Sequence, residues 1–390
     1  MTKSTVLLLF AAAPLSCGFA WAQKTPTKTP LVVSDGFLES RKATARFSRT
    51  NKMTDDGKAA IKQQRLRSVP NWSGSFTFQG TPFPYTMVGG DPRRGDTTRV
   101  DTALISISFF FDEFVDQNGN NIVIDAAPVI PLVLNSPNYE NAGYGTGFTQ
   151  FGDAIQRAEF FNVMKDEWHT LIDRPRMLTP VQIEVPPGSS LVFQSRSTGA
   201  IFALIDFNFF ISQLNTIIQL EPMNVNELTI ALTRNALFFE GGDPNNFCVI
   251  GFHTAFETAV QGNTHFVQTF ATASWLDKGI FRDTHLADVF PLSHEISEWL
   301  NDPFVNNATP PWQFPDGSGA CQATLETGDP VEVLAQPTFP ITVDGFLYHP
   351  QTEALLQWFT RESPSSAFQH AYSYPDTHAL PTASVACAHP

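Results

Sequence analysis

His294, Glu295 and Glu298 stand in one short stretch, VFPLSHEISEWLNDP at 289–303, in the pattern His-Glu-x-x-Glu. On an α-helix, His294, Glu298 and Asp302 fall at i, i+4 and i+8 and stack on one edge. Glu295 lies about 100° further round. An imidazole and a carboxylate one turn apart can hold a divalent cation, and an acid beside them can take a proton from water bound to that cation. The pattern compares with HExxH, in which two histidines bind zinc and the glutamate between them handles the water proton. Here Glu298 replaces the second histidine. Its oxygen still reaches a metal, but a carboxylate ligand makes the bound water less acidic and opens the site to harder ions such as calcium or manganese. Without an ion, the same residues would be the solvated edge of an ordinary surface helix.

The chemistry requires that this stretch be helical, and its apolar residues agree. Val289, Leu292, Ile296, Trp299 and Leu300 recur at helical spacing and form a stripe that needs a core to pack on. Ser293 offers an oxygen near the helix start. Asp302 precedes Pro303, and the residue before a proline is pushed out of the α region, which ends the helix there.

The rest of the chain bounds what this helix can serve. Lys3, an apolar run from Val6 to Ala13 and the A-x-A site Ala20-Trp21-Ala22 read as a secretory signal peptide over 1–22, so the protein is expected to be secreted or periplasmic. The run is too short for a permanent membrane span, and no later stretch is long and apolar enough to make one. Cys17 lies in a poor lipobox, which favours a soluble exported protein over a lipoprotein. Removal of the signal leaves Cys248, Cys321 and Cys387, enough for one disulfide. Cys321–Cys387 is the expected pair, pinning the C-terminal tail to the body, with Cys248 a buried core thiol in an apolar run. The 38 acids against 24 Lys and Arg, a net charge of −14, do not suit a nucleic-acid partner, which needs clustered cations.

Residues 23–68 read as a flexible leader or pro-segment, with a short exposed helix over 54–66. Residues 69–235 form a β-rich N-terminal region, and 236–390 the region with the HExxE helix and a C-terminal tail. Strands are expected around Trp72–Phe78, over 102–114 and 122–124, at 181–185 and 191–194, and over 227–233, 247–252 and 266–273. Helices are expected over 147–168, 207–219 and 348–359. Asp116, Asn118 and Asn120 have the first spacings of a calcium loop. A misplaced glycine and the lack of a closing acid make 116–121 a hairpin turn instead. His253 follows a strand, Gly251-Phe252-His253, and could face the cleft; His265, His285 and His370 show no partner in the sequence, and all four read as ordinary polar residues.

The order Ser293-His294-Glu295-x-x-Glu298, then Asp302-Pro303, Trp312, and Glu326 with Asp329 near a cysteine, resembles zincin-like secreted proteins with an HExxE helix. It is similar in particular to plant phosphate-induced, EXORDIUM-like cell-wall proteins, over about 266–332. The resemblance implies an α+β, zincin-like fold, a mixed sheet with a metal-site helix. It implies that His294 and Glu298 are metal ligands and Glu295 the general base. The third ligand would come from further along the chain. Glu326 is the first choice, with Asp329 and His349 as alternatives, and Asp302 either ends the helix or holds a ligand from behind. With Zn2+ on three protein ligands, water takes the fourth position, the ion lowers its pKa, and Glu295 passes its proton to a leaving amine. The reaction would be hydrolysis of an amide, most simply a peptide bond in a peptide or protein substrate. The alternative is a catalytically inactive zincin-like module that binds at the cell surface, which Glu298 in place of histidine favours. A serine or cysteine hydrolase finds no G-x-S-x-G and no recognisable catalytic cysteine.

Overall fold

The architecture follows from long apolar strands that need cover on both faces. The structure, a computed structural model, describes residues 27–35, 37–38, 65–221, 223–282 and 286–387. The signal segment 1–22, most of the leader and all of the expected helix except its last two residues lie outside the described residues. In chain order the elements that matter are strands β1 (Asn71–Phe78), β2 (Thr81–Val88) and β3 (Thr97–Val115), then helix α1 (Phe151–Glu159). Strands β4 (Ser190–Ser195) and β5 (Ile201–Asp206) and helix α2 (Phe207–Leu220) come next. Strands β6 (Glu227–Arg234), β7 (Ala236–Phe239), β8 (Phe247–Val249), β9 (Gly251–Gln261) and β10 (Thr264–Trp275) lead into helix α3 (Phe290–Asn301). Strands β11 (Ala308–Gln313) and β12 (Cys321–Thr324) and the short helix α4 (Asp329–Glu332) follow. The fold is thus α+β, with strands predominating.

The larger sheet runs β3–β6–β10–β9, with β3, β6 and β10 parallel and β9 antiparallel at the edge. Parallel strands are covered on both faces, which is why β6 is buried along nearly its whole length, its Thr229 and Thr233 included. The second sheet holds β4, β5, β7 and β8. Its two middle strands, β5 and β7, are parallel. Helix α2 packs with Phe207, Phe210, Leu214 and Ile217 into the core that both sheets share. Asp206 caps it by accepting the Phe209 N–H at 2.9 Å.

Helix α3 covers the other face of the larger sheet. Val289, Leu292, Ile296, Trp299 and Leu300 join one cluster with Leu228, Ile230 and Leu232 of β6 and Ala271 and Ala273 of β10, so the predicted stripe is the buried stripe. Helix α1 closes on α3 at Gly152, where a Cβ would stand 2.3 Å from Leu300 Cδ1.

Several expectations need correction. The regions on either side of 235/236 share both sheets, because β5 pairs with β7 and β6 with β10 across the division. Within the leader, Leu31–Val33 adds an edge strand to the second sheet, and Lys28 pairs with Glu113 at 2.8 Å. The helix expected over 147–168 is confined to α1. Gly147–Thr149 makes a hairpin with Ala142–Tyr144, and after Glu159 the chain turns so that Phe160 and Trp168 meet edge to face at 5.9 Å. The helix expected over 348–359 shrinks to Leu356–Thr360. Pro350 makes residue 349 extended, and Glu353–Ala354 pairs with Ser373–Tyr374. The Asp116 loop is the expected hairpin: its carboxylate accepts the N–H groups of Asn118 and Asn120, and Asn121–Asp125 returns antiparallel to β3. Cys321 and Cys387 form the expected disulfide. Cys248 lies in β8, its side chain outside those described.

The contact between α1 and α3 has little slack, so Gly152→Ala should destabilise the protein by about 1–3 kcal/mol through overpacking. A lower urea midpoint with an unchanged slope is the expected result. An unchanged midpoint would mean that the helices do not meet there.

Candidate metal centre

The helix that carries the motif is held at both ends by its own chemistry. Pro291 stands in the first turn, where its missing N–H costs nothing. The Asp288 carboxylate accepts the Val289 N–H at 2.7 Å. At the far end Asp302 leaves the helical region before Pro303, and its carboxylate accepts the N–H groups of Asn306 (2.9 Å) and Asn307 (3.1 Å). Asp302 therefore fixes the turn out of the helix. Every residue of α3 is buried, so the polar edge seen in the sequence faces inward and not into solvent.

Opposite that edge stands His253 of β9. Residues alternate sides along a strand, so Gly251 and His253 share a face. A Cβ on Gly251 would lie 2.6 Å from Glu295 Oε1, and the missing side chain is what lets α3 close on the strand. His253 Nδ1 then lies 3.4 Å from Glu295 Oε2 and 3.4 Å from Glu298 Oε2. Its Nε2 lies 3.2 Å from the Asp302 carbonyl oxygen. A carbonyl only accepts, so Nε2 carries the proton. In the neutral ring Nδ1 presents a lone pair to two carboxylates.

His294 repeats the arrangement with other partners. Gln351 Nε2 donates to the Gly328 carbonyl at 2.6 Å, which fixes the amide with Oε1 toward His294. His294 Nδ1 donates to that oxygen at 3.0 Å. Its Nε2 is left facing Glu298 Oε2 at 3.2 Å and Asp329 Oδ1 at 3.9 Å. Gly328 N–H donates to the other oxygen of Glu298 at 3.1 Å. Gly328 also packs on the His294 ring, where a Cβ would come within 2.3 Å of Nδ1.

Two lone pairs set against carboxylates need a positive charge between them. In the ion-free chain protons supply it. Burial pulls both imidazoles down, but the carboxylates outweigh it and hold His253 and His294 well above the ordinary histidine value. Burial pushes Glu298 up, but the two histidines outweigh it and hold its carboxyl low. Burial raises Glu295, Glu326 and Glu353.

A metal ion fits the same spaces. Ligand atoms on a tetrahedral ion with bonds of about 2.0–2.1 Å stand roughly 3.3 Å apart, close to the 3.2 and 3.4 Å found around Glu298 Oε2. His253, Glu295 and Glu298 form one triad whose ligating atoms lie within 4.8 Å of one another, and His294, Glu298 and Asp329 form another. Buried His294 Nε2, Glu295 Oε2 and both oxygens of Glu326 have no hydrogen-bond partner. Each histidine also has its second nitrogen bonded to a carbonyl or amide oxygen, the arrangement that fixes the tautomer of a metal-bound imidazole.

The predicted site residues divide accordingly. His294, Glu295 and Glu298 come together. Asp329, an alternative third ligand, is the carboxylate beside His294. Glu326 forms no triad with His294 and lies instead 3.9 Å from His253 Nε2. His349 is held at the start of α3 by Asp288, with Nδ1 2.6 Å from Oδ2 and its N–H on Oδ1 at 2.8 Å. Sequence reasoning missed His253 and Gln351. His253 has no spacing motif, but its place two residues after Gly251 in a strand leading toward the helix was a usable signal. Gln351 carried none, because its role depends on the loop made by Pro350. Comparison with protein-family models, curated proteins and solved structures finds no match.

Gln351→Leu should keep the fold and weaken metal binding about 10–100-fold, the usual loss when a partner behind a histidine ligand is removed. Competition with a chromophoric chelator measures it. Unchanged affinity would contradict the role given to Gln351.

Proposed function

We propose that this protein is a metalloprotein that holds a divalent ion, Zn2+ first, on His294 Nε2, Glu298 and Asp329. The observation that carries the reading is His294 itself, whose Nδ1 is committed to Gln351 while its buried Nε2 faces two carboxylates without a hydrogen bond. A nitrogen with two carboxylates suits zinc and also admits manganese or calcium. The zincin-like reading draws support from a His-Glu-x-x-Glu helix packed against a mixed sheet. Export to an oxidising compartment draws support from the Cys321–Cys387 bond and the signal-like start of the sequence. No helix among the described residues is long and apolar enough to cross a membrane.

A second reading, metal-dependent hydrolysis of a peptide or protein substrate, is favoured by Glu295. Its Oε2 is buried without a hydrogen bond, 3.4 Å from His253 Nδ1, where it can accept the proton of an ion-bound water. Burial sets the order of the two readings. His294, Glu295, Glu298 and Asp329 are all at most 5% exposed, which suits retention of an ion more directly than turnover of a polymer.

His294→Ala should lower the metal content of the purified protein by elemental analysis, and unchanged content would overturn the centre. Glu295→Gln should keep the ion at His294 and abolish peptide hydrolysis. Full activity in that variant would remove Glu295 as the base.

A further inference from the structure

Glu298 faces two histidines, not one. Its Oε2 lies 3.2 Å from His294 Nε2 and 3.4 Å from His253 Nδ1, and each nitrogen belongs to a different triad of ligating groups. One ion on His294, Glu298 and Asp329 answers the first nitrogen and leaves the second facing Glu295 and Glu298.

The surroundings of the second nitrogen are of the same kind. Glu295, Glu298, Asp302, Glu326, Asp329, Glu332 and Glu353 are buried carboxyl groups gathered around two imidazoles. Buried Glu295 Oε2 makes no hydrogen bond and has His253 Nδ1 facing it at 3.4 Å, so an ion set between them would be held by both.

We infer that the centre is dinuclear: a second divalent transition-metal ion binds His253 Nδ1 and Glu295, and Glu298 bridges it to the ion on His294 and Asp329. This rests on the metal-binding reading above. Bridged ions in two-metal sites stand about 3.5–4 Å apart, a spacing that one shared carboxylate can span. His253 is prepared for the role, since its Nε2 proton is held by the Asp302 carbonyl. Glu295 then acts as a ligand of the second ion.

Native mass spectrometry of the purified full chain titrated with Zn2+ reads the count, and Mn2+ electron paramagnetic resonance reads the coupling. Two ions per chain, one in His253→Ala, and an exchange-coupled Mn2+ spectrum that becomes that of isolated ions in the variant are expected. One ion in the wild type, lost in His294→Ala, would overturn the second site and leave the first. Two ions retained in His253→Ala would also overturn it. No ion in the wild type would overturn both readings. Should His253→Ala fail to fold, Glu295→Gln provides the same comparison, and the wild-type count alone already separates one site from two.

Discussion

One carboxylate oxygen, Glu298 Oε2, stands between nitrogens of two buried histidines, and the arrangement around it is ordered by that placement. Each histidine has given its other nitrogen to an oxygen that can only accept, the Asp302 carbonyl for His253 and the fixed Gln351 amide for His294. The nitrogens that remain cannot both be neutral against carboxylates. Protons or metal ions must lie between them. In a site this dry, removing one member of a charged set costs about 3–5 kcal/mol, because the rest stay buried without it. The geometry is therefore expected to tolerate substitution poorly even where no chemistry is performed.

The fold supplies what the centre needs, namely two rigid elements and a cover. Edge strand β9 brings His253, and α3 brings His294 and Glu295 from one turn and Glu298 from the next. Gly251 and Gly328 lack the side chains that would hold these parts away from Glu295 and His294. The parallel strands β6 and β10 give α3 an apolar bed, so the helix is fixed by packing and not by its ligands. The loop from Glu326 to α4 closes over His294 and contributes Asp329. His294, Glu295, Glu298 and Asp329 are all buried, and this is why ion retention is the better supported of the two functional readings.

Much of this was legible where the physics is local. The α3 stripe, its stop at Asp302-Pro303, the long strand that became β3, helix α2 and the Cys321–Cys387 pair all depend on spacing or on composition near the residues concerned. The expectations that failed depend on distant partners. Phe160 and Trp168 turn back on each other and shorten α1. Pro350 breaks a helical pattern at 348–359 and so frees Gln351 and Glu353 to enter the core beside His294. The proposed ligand set shows the same divide. His294, Glu295 and Glu298 share one helix and announce themselves. His253 comes from a strand 41 residues away from His294, and no periodicity links the two. Choosing between Glu326 and Asp329 required the direction of a loop, which sequence spacing does not encode.

The central claim is that a metal ion lies against Glu298 Oε2. Anomalous diffraction recorded at the zinc edge from crystals grown with Zn2+ tests it most directly. The account predicts a strong anomalous peak bonded to His294 Nε2 and Glu298, with ligand distances of about 2.0–2.1 Å. A buried centre with no anomalous peak, and with protonated histidines hydrogen-bonded to Glu298, would contradict it.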